Sequence, residues 1–293
     1  MTLSHKQGDP LKPARIVVLG AGGFLGRRLL AACAASGVEA EGLGSRDLDL
    51  TDASAGAQLA QLLRPRDVLV FLAALTPDKG RDSSTLMRNL AMGRAVCEAT
   101  RSVELAHLVY ASSDAVYSFA TTLICEETPA IPLDLYGAMH RTRELMLAAE
   151  AKAPLAVLRL TAVYGADDTH NSYGPNRFAR QAHKDGRIAL FGNGEEMRDH
   201  LYVDDAIDLM LQAAMRGSTG LLNLASGKSE SFRTVADLVA AQAGRHVEIV
   251  PSARQNPATH RHFDVTNLMR AFPGTRFKPL ADGLVATVGA IRG

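Results

Sequence analysis

A glycine-rich segment, GAGGFLG at residues 20–26, is the feature that most constrains the fold of this chain. An apolar run precedes the segment and an amphipathic stretch follows it, so the glycines are predicted to form a turn from a strand into a helix. Gly20, Gly23 and Gly26 are spaced three apart, which allows a sharp turn, close backbone approach and tight packing of helix on strand. The pattern predicts that a pyrophosphate rests on the amino end of the helix, as in a dinucleotide site.

Apolar runs alternate with helical patterns through the first two thirds of the chain. The apolar runs lie at residues 15–20, 67–75, 105–113 and 154–165, and the helical patterns at 24–36 and 86–100. Continuous apolar strands separated by amphipathic helices are typical of a parallel sheet that is covered on both faces. We therefore predict an α/β fold, a doubly wound parallel sheet of the Rossmann type with a small C-terminal α+β substrate cap.

Turn-forming residues become frequent from about Gly165, and this change marks the start of the predicted cap. The length of 293 residues exceeds the usual size of a single domain and leaves room for a second unit. We predict that the segments HLYVDD and GLLNLA return to the main sheet. The residues before the first strand are predicted to form a loose tail. The predicted boundaries are 14–165 for the dinucleotide-binding domain, with returns at about 199–225, and 166–198 with 226–293 for the cap.

The charge balance and the metal-ligating residue types exclude several classes of partner. With 32 Lys+Arg against 31 Asp+Glu the net charge is +1, so we expect no nucleic acid and no anionic membrane as partner. No apolar run reaches the ~18 residues of a membrane span and the first residues hold no apolar signal core, so a cytoplasmic protein is expected. The three cysteines, and His260 with His262, lack the spacing and convergent ligands of a metal site, so no metal is predicted.

The end of the second predicted strand carries the residues that would distinguish NADP from NAD. An acidic residue at this point would bind the ribose 2′-hydroxyl of NAD. Glu41 is assigned to the strand itself, whereas the tip offers Ser45 and Arg46, a hydroxyl and a cation suited to a 2′-phosphate. NADP is therefore favoured over NAD, with an ordinary solvated surface charge as the alternative role of Arg46.

Four further segments, in order, resemble those of the extended short-chain dehydrogenase/reductase family, particularly its nucleotide-sugar epimerases, dehydratases and reductases. The segments are YASSDAVYS (110–118), LYGAMH (135–140), RLTAVYG (159–165) and LFGNGEEMRDHLYVDD (190–205). The resemblance runs from about residue 15 to about residue 270. It implies a nucleotide-sugar substrate and a nicotinamide cofactor.

The resemblance also implies roles for individual residues that match the motifs of the family. Ser113, with Ser112 as its fallback, would bond the substrate oxygen that is oxidised or reduced, and Tyr136 would give or take its proton. Arg198 would hold the diphosphate of the nucleotide sugar. The implied cofactor contacts are the glycine turn with Phe24 and Leu25, the adenine-side pair Asp49 and Leu50, and the strand-end pair Ala73 and Ala74.

The sequence departs from the family pattern at His140, four residues after Tyr136, where the family keeps a lysine. A free tyrosine has a pKa of ~10, so its use as a base near neutrality requires ~4 kcal/mol of preferential stabilisation of the phenolate, which a nearby cation supplies. Three interpretations stay open. His140 donates to the ribose and, when protonated, assists Tyr136; Arg141 or Arg143 supplies the charge, although neither has the fourfold spacing; or the chemistry is impaired. Under the first interpretation, His140→Lys would retain activity and flatten its pH dependence.

The choice among sugar-nucleotide reactions depends on the residues after Ser113. Family dehydratases use acidic residues in this segment to move protons, but the usual glutamate position is Ala115, and Asp114 is expected to cap the following turn. The leading hypothesis is therefore a 4-epimerase. A ketosugar reductase that uses NADPH is the second, and a dinucleotide-binding sensor with reduced catalysis is the alternative from another class.

The predicted cap holds the remaining substrate-side residues. In the loop HNSYGPNRF, Asn176 and Arg177 are candidates for hydroxyl and phosphate contacts, with a polar turn and a helix cap as the alternative role. Arg261 is a candidate second phosphate arginine, because bidentate arginine suits phosphate. Family members commonly pair through two long helices, so the resemblance implies a homodimer through the stretches 86–100 and 135–152, although helix faces covered by the rest of the domain would show the same pattern.

Overall fold

The computed structural model describes residues 2–171, 173–254 and 256–292. Through residue 164 its elements are β1 (Ile16–Leu19), α1 (Phe24–Ala35), β2 (Ala40–Leu43), α2 (Ala55–Leu62), β3 (Val68–Phe71), α3 (Ser83–Ser102), β4 (His107–Ser113), β5 (Leu123–Ile124), α4 (Leu135–Glu150), β6 (Leu155–Leu160) and β7 (Ala162–Tyr164). A short 3₁₀ turn, Asp114–Val116, follows β4. The predicted alternation of strands and helices is thus observed.

The described part of the remaining chain adds shorter strands and five helices to this framework. Its elements are α5 (Pro175–Asp185), β8 (Arg187–Phe191), β9 (Met197–Tyr202), α6 (Val203–Met215), β10 (Gly220–Leu224), β11 (Ser229–Ser231), α7 (Phe232–Gln242), β12 (Glu248–Ser252), β13 (His262–Phe263), α8 (Thr266–Ala271) and α9 (Leu280–Arg292). In the described part of the chain, no helix is both long and apolar enough to cross a membrane.

Six parallel strands form the central sheet in the order β10-β6-β4-β3-β1-β2. The chain runs from β1 outward to β2 and then crosses back to β3 on the other side of β1. The strand order therefore reverses between β1 and β3, the position at which doubly wound sheets bind ligands. The predicted fold class is confirmed.

Both faces of the central sheet are buried, which explains why its strands read as continuous apolar runs. Ile16 and Val18 of β1 belong to one apolar cluster, and Val17 and Leu19 belong to the other. On one face α1 packs beside α6, and on the other α2, α3 and α4 pack in sequence. Alternate side chains of one strand thus fill two separate cores.

One of the two predicted returns to the main sheet is wrong. The segment GLLNLA forms β10 and pairs with β6 at the edge of the central sheet, as predicted. HLYVDD instead belongs to β9 and the start of α6, and β9 pairs with β7 and β11 in a separate three-stranded sheet. The reason is that the chain leaves the central sheet at Thr161, between β6 and β7, so β7 offers its edge to β9 outside that sheet. The domain boundaries themselves stay a prediction.

The N-terminal segment is also more ordered than the predicted loose tail. The backbone N–H of Leu3 donates to the carbonyl of Leu221 at 2.9 Å, and Ser4 exchanges two 2.8 Å hydrogen bonds with Thr219. His5 contacts the Ser218 hydroxyl at 2.7 Å. These bonds fix the segment along the outer edge of β10, where unpaired strand groups would otherwise face solvent.

Candidate active site

A cavity of about 690 Å³ lies beyond the carboxyl ends of β1 to β4, at the reversal of strand order. Its volume is in the range of small-molecule and cofactor sites. The predicted residues that line it are Gly20, Gly23, Phe24, Leu25, Gly26, Ser45, Arg46, Asp49, Leu50, Ala73, Ala74, Ser113, Tyr136 and His140. The lining set does not include Asn176, Arg177, Arg198 or Arg261 among the described residues.

The glycine turn places an open helix end at this cavity. Gly20 has φ +92°, and a Cβ on it would lie 2.9 Å from the backbone nitrogen of Ala73, so β1 and the end of β3 approach each other closely. Gly23 is the N-cap of α1, and no described side chain caps that helix end or places an acidic group in its first turn. The free N–H groups and the helix dipole suit an anion such as a pyrophosphate.

Replacing Gly26 with alanine is expected to lower the free energy of unfolding by about 1–3 kcal/mol. A Cβ at this position would collide with the carbonyl oxygen of Gly20 and lie 2.8 Å from Cα of Ala21, so α1 would have to move away from the turn. Urea denaturation measures the loss. The matched control is Gly22→Ala, because a Cβ on Gly22 meets no atom within 4 Å; equal stability of the two variants would contradict the packing argument.

Ser113 and Tyr136 come together because α4 begins against the turn that follows β4. Asp134 caps α4 by accepting a 2.7 Å hydrogen bond from the N–H of Gly137. A Cβ on Gly137 would collide with the carbonyl oxygen of Ala115, so only glycine permits this approach. The consequence is that Ser113 and Tyr136 line the same cavity, close enough for the hydroxyl of Ser113 to lower the pKa of the phenol. Gly137 was not among the predicted site residues, although its place directly after the tyrosine was the signal for it.

The phenol of Tyr136 is held in its protonated form. Burial raises its pKa to about 12, and the carboxylate of Asp114 adds to the rise. The positive charge of Arg143 and the hydroxyl of Ser113 act in the opposite direction. Tyr136 is therefore a proton donor near neutrality, and further positive charge in the cavity would be needed for it to act as a base.

His140 is a buried, neutral side chain. Burial and, to a smaller extent, the charge of the neighbouring Arg143 lower its pKa to about 3. Its Nδ1 is 2.8 Å from the hydroxyl of Tyr110, and its ring meets the ring of Tyr136 edge-on with centroids 4.7 Å apart. Burial beside a guanidinium disfavours the imidazolium, which argues against the interpretation that a protonated His140 assists Tyr136. A lysine at position 140 would place a second cation beside Arg143, so the outcome of His140→Lys stays a prediction.

The positive charge of Arg143 lowers the pKa of Tyr136, which supports the interpretation, left open by the sequence, that Arg143 supplies the charge. Arg143 follows Tyr136 by seven residues, two helical turns, and so lies on the same face of α4. Its side chain is fully buried, and it donates to the carbonyl oxygens of Asn89 at 2.9 and 2.6 Å and of Ala73 at 2.9 Å. Arg141 instead pairs with Glu144 at 3.0 Å. The spacing of seven residues, rather than four, was the sequence signal for this role.

Two neighbours of Ser113 differ from their expected roles. Ser112 donates a 2.6 Å hydrogen bond to the buried carboxylate of Glu144, so its hydroxyl is engaged away from Tyr136. Asp114 does not cap the turn, because Ser113 accepts the bond from the N–H of Ala115 at 3.1 Å. Asp114 instead accepts a 2.8 Å ion-pair bond from Arg261. The expectation of a capping aspartate is therefore wrong.

Arg198 and Arg261 converge on one aromatic ring outside the cavity. Their guanidinium carbons lie 5.7 and 4.3 Å from the ring centroid of Phe119. Arg198 donates to the carbonyl and hydroxyl oxygens of Thr259 at 2.6 and 2.7 Å. Arg261 pairs with Asp114, so this positive cluster adjoins the Ser113 end of the cavity.

The other predicted substrate residues are engaged locally. The side-chain amide of Asn176 is buried and bonds both backbone groups of Gly165, so it closes the loop before α5. The Arg177 guanidinium lies 5.8 Å from the ring centroid of Tyr173. Of the same loop, His170 lines the cavity and contacts the hydroxyl of Thr76 at 3.1 Å.

The edge of the cavity after β2, on the side predicted to hold the adenine, carries the exposed cation Arg46. Glu41 lies inside β2 and pairs with Arg15, so it does not reach the cavity. Asp49 accepts hydrogen bonds from the N–H and hydroxyl of Thr51 at 2.9 and 2.7 Å. Arg46 takes part in no ion pair among the described residues. Likewise, no described group of three or more His, Cys, Asp or Glu side chains is arranged to hold a metal ion.

One known family matches most of the chain. The sequence model described as the NAD dependent epimerase/dehydratase family matches residues 16–225. This range includes the glycine turn, Ser113, Tyr136 and Arg198.

Three solved structures illustrate the likeness. UDP-glucose 4-epimerase from Thermus thermophilus, in complex with NAD, has 22% sequence identity and a TM-score of 0.81 over 95% of this chain and 99% of that chain. TunA, an NAD dependent NDP-hexosamine 5,6-dehydratase, has 23% identity and a TM-score of 0.82 over 94% and 97%. RMD from Pseudomonas aeruginosa, complexed with NADPH, has 23% identity and a TM-score of 0.83 over 95% and 99%. At these identities the likeness shows a shared fold.

Proposed function

Because the chain belongs to the NAD dependent epimerase/dehydratase family, we propose that it is an NAD(P)-dependent 4-epimerase of nucleotide sugars. The observation that carries the proposal is the meeting of Ser113 and Tyr136 in the same cavity as the glycine turn. An alcohol and a phenol at one point suit the oxidation of a sugar hydroxyl, since one orients the oxygen and the other moves its proton.

The residues of the cavity fit a nicotinamide dinucleotide. The uncapped start of α1 offers N–H groups to its pyrophosphate, and Asp49 with Leu50 lines the side proposed for the adenine. Ala73 and Ala74 leave the end of β3 free of bulky side chains. When bound, the dinucleotide would supply the hydride acceptor and donor.

The chain's own residues would orient the sugar and transfer its proton. Ser113 Oγ would bond the C4 oxygen, and Tyr136 Oη would take its proton on oxidation and return it on reduction. Arg198, at the cluster beside Phe119, would hold the diphosphate of the nucleotide sugar. The sugar would turn over between the two steps and be reduced from its other face.

The surroundings of Ser113 support an epimerase over a dehydratase. Removal of water from a sugar needs a positioned base next to the carbonyl. Ala115 has no ionisable group, and the carboxylate of Asp114 is committed to Arg261 at 2.8 Å. Neither residue is therefore placed to move that proton.

The exposed cation at the edge of the cavity after β2 supports NADP as cofactor, and with it a ketosugar reductase as the second candidate function. Arg46 and Ser45 both line the cavity. We expect Arg46→Ala to weaken NADPH binding about tenfold and to leave NADH binding unchanged, because only NADPH carries the 2′-phosphate. Titration of cofactor fluorescence measures both affinities. The control is Arg64→Ala, an exposed arginine outside the cavity; an equal loss for both cofactors would contradict a phosphate contact.

Two exposed apolar side chains support a homodimer through α3 and α4. Met87 of α3 and Leu145 of α4 are 63% and 53% exposed, and the two helices pack against each other in the single chain. Exposed apolar side chains on these two helices would be covered if two such helix pairs met in a dimer.

Product analysis tests the proposed function. The purified chain is mixed with UDP-, dTDP- and GDP-sugars and each cofactor, and products are separated and identified. An epimerase converts a sugar into its C4 epimer with no net change in cofactor, whereas a reductase consumes NADPH in proportion to product. Dinucleotide binding without nucleotide-sugar binding or turnover would instead indicate a dinucleotide-binding sensor with reduced catalysis. The presence of His140 in place of a lysine is the reason for testing that alternative.

A further inference from the structure

The side chain of Arg261 is buried and spans the turn that follows β4. It is 2% exposed. Its Nη1 donates to the carbonyl oxygen of Asp114 at 2.5 Å and to the carboxylate of the same residue at 2.8 Å, and its Nη2 donates to the carbonyl oxygen of Tyr117 at 2.8 Å. The 3₁₀ turn Asp114–Val116 lies between these acceptors. One guanidinium thus bonds both ends of the turn, which the rigid fork of an arginine permits.

The backbone of Arg261 is fixed to the three-stranded sheet. Its N–H donates to the carbonyl oxygen of Met197 in β9 at 3.0 Å, and its carbonyl accepts from the hydroxyl of Ser229 in β11 at 2.7 Å. The ring of Phe119 lies against the guanidinium, with 4.3 Å from the guanidinium carbon to the ring centroid. Arg261 therefore connects the three-stranded sheet to the turn after β4.

This turn separates the two hydroxyl groups of the proposed chemistry. Ser113 precedes the turn and accepts a 3.1 Å hydrogen bond from the N–H of Ala115. The carbonyl oxygen of Ala115 in turn lies against Gly137, the residue after Tyr136, where a Cβ would collide with it. Because the turn is packed between Ser113 and the start of α4, a displacement of the turn would change how the serine and the tyrosine face each other.

Arg261 also offsets a negative charge close to Tyr136. The charged or titratable side chains that act on or contact the phenol of Tyr136 are those of Asp114, Asp134, Arg143 and His140. Burial is the main cause that raises its pKa to about 12, the two carboxylates add to the rise, and the guanidinium of Arg143 opposes it. The ion pair with Arg261 at 2.8 Å reduces the effect of Asp114, since opposite charges partly cancel at a third group. Loss of Arg261 would therefore raise the pKa of Tyr136.

We propose that Arg261 is a positioning residue, which clamps the turn Asp114–Val116 and so fixes Ser113 relative to Tyr136, and that it is not a ligand of the substrate phosphate. Both terminal nitrogens of the guanidinium already donate to the turn. Arg261 is also not among the described residues that line the cavity. The effect on turnover rests on the proposed function, whereas the clamp itself does not require a substrate.

Hydrogen exchange followed by NMR tests the clamp without substrate. The N–H of Tyr117 donates to the carbonyl oxygen of Asp114 at 3.1 Å, the same oxygen that accepts from Arg261. We expect Arg261→Lys to raise the exchange rates of the amides of Ala115 and Tyr117 about tenfold relative to the amides of β4. The reason is that an ammonium group is a single point of donation and cannot bond both ends of the turn.

The matched control for this experiment is Arg15→Lys. Arg15 is also buried, and it donates to the carboxylate of Asp67 at 3.1 Å, but it precedes β1 at the edge of the sheet opposite the cavity. Its substitution should leave the ratio of turn exchange to β4 exchange as in the wild type. An unchanged ratio in a folded Arg261→Lys protein would overturn the proposal.

Steady-state kinetics with a nucleotide sugar test the consequence for the site. We expect Arg261→Lys to lower kcat about tenfold and to change KM less than about twofold, because it disturbs the reacting groups and not substrate binding. Its pH profile should stay in place, since the charge is kept. Arg261→Met should also shift the profile of kcat to higher pH by at least about 0.5 pH unit, because Asp114 is left unpaired. Adding Asp114→Asn to Arg261→Met should remove the shift without restoring kcat, a separation that a general loss of stability would not produce.

Binding of UDP, measured by calorimetry, distinguishes a clamp from a phosphate ligand. Arg261→Lys should bind UDP as the wild type does. Weaker UDP binding with a higher KM and an unchanged kcat would identify Arg261 as a phosphate ligand, and the proposal would be wrong while the proposed function stands. If the wild type converts no nucleotide sugar, the proposed function fails, and the exchange ratio still decides whether Arg261 clamps the turn. If Arg261→Met does not fold, the exchange, kcat and UDP results of Arg261→Lys decide the proposal.

Discussion

Tyr136→Phe is expected to lower turnover of a nucleotide sugar by a factor of about 10²–10⁴, the usual contribution of one general acid–base group. The phenolic hydroxyl is the only part of the residue that is removed, and it lies in the same cavity as Ser113, the residue proposed to orient the reacting oxygen. Because Tyr136 is protonated near neutrality in the protein alone, activity that depends on its base form should rise with pH. Rates measured between about pH 6 and 9 with saturating cofactor provide the comparison.

The controls for this variant separate chemistry from binding. Dinucleotide affinity and thermal unfolding of Tyr136→Phe should be close to those of the wild type, since the ring itself is kept. Tyr164→Phe, which loses a hydroxyl outside the cavity, should retain turnover. A Tyr136→Phe protein that keeps more than a tenth of wild-type turnover would show that another group moves the proton.

Arg159→Met is expected to lower the free energy of unfolding by about 3–5 kcal/mol, because it leaves a buried carboxylate without its main partner. Arg159 donates two hydrogen bonds to Glu144, at 2.8 and 2.7 Å, and both side chains are buried. This pair joins β6 to α4, the helix that carries Tyr136, His140 and Arg143. Urea denaturation measures the loss.

Two further results are expected of the Arg159 variant if charge is the cause. Adding Glu144→Gln should recover part of the lost stability, because it removes the unpaired charge. Burial opposes ionisation of Glu144, but the hydrogen bonds and charge of Arg159, together with the bonds from Ser112 and Arg141, lower its pKa below the ordinary value. The stability from this pair is therefore present above the unfolded pKa and is lost as pH falls through the folded pKa, so the difference between wild type and variant should shrink in acid.

An exposed pair provides the control for burial. Arg233 and Asp237 are 3.1 Å apart, and their side chains are 54% and 52% exposed. Arg233→Met should change the free energy of unfolding by less than about 0.5 kcal/mol. A similarly small change in Arg159→Met would show that the buried pair does not stabilise α4 against the sheet.

The fold and the location of the site could be read from the sequence because their signals are local. The apolar run of β1, the glycines after it and the helix of α1 are consecutive residues, and their spacing alone predicts a strand, a turn and a helix. Parallel strands then end at one edge, so Ser113 and Ala73 were expected near the turn. Strand partners were less predictable: β9 pairs outside the main sheet because its neighbour β7 had already left that sheet.

The electrostatics of the site could not be read in the same way. Sequence spacing placed His140 on the face of Tyr136 but gave no measure of its burial, and it did not reveal that Asp114 would pair with Arg261 from a distant segment. The sequence by itself determined the sheet, the glycine turn and the presence of Ser113 and Tyr136, because periodicity and turn chemistry act between near neighbours. Only the tertiary structure shows that His140 is buried beside Arg143, which lowers its pKa, and that the charge of Arg143 lowers the pKa of Tyr136, because a pKa depends on desolvation and on charges that folding brings together.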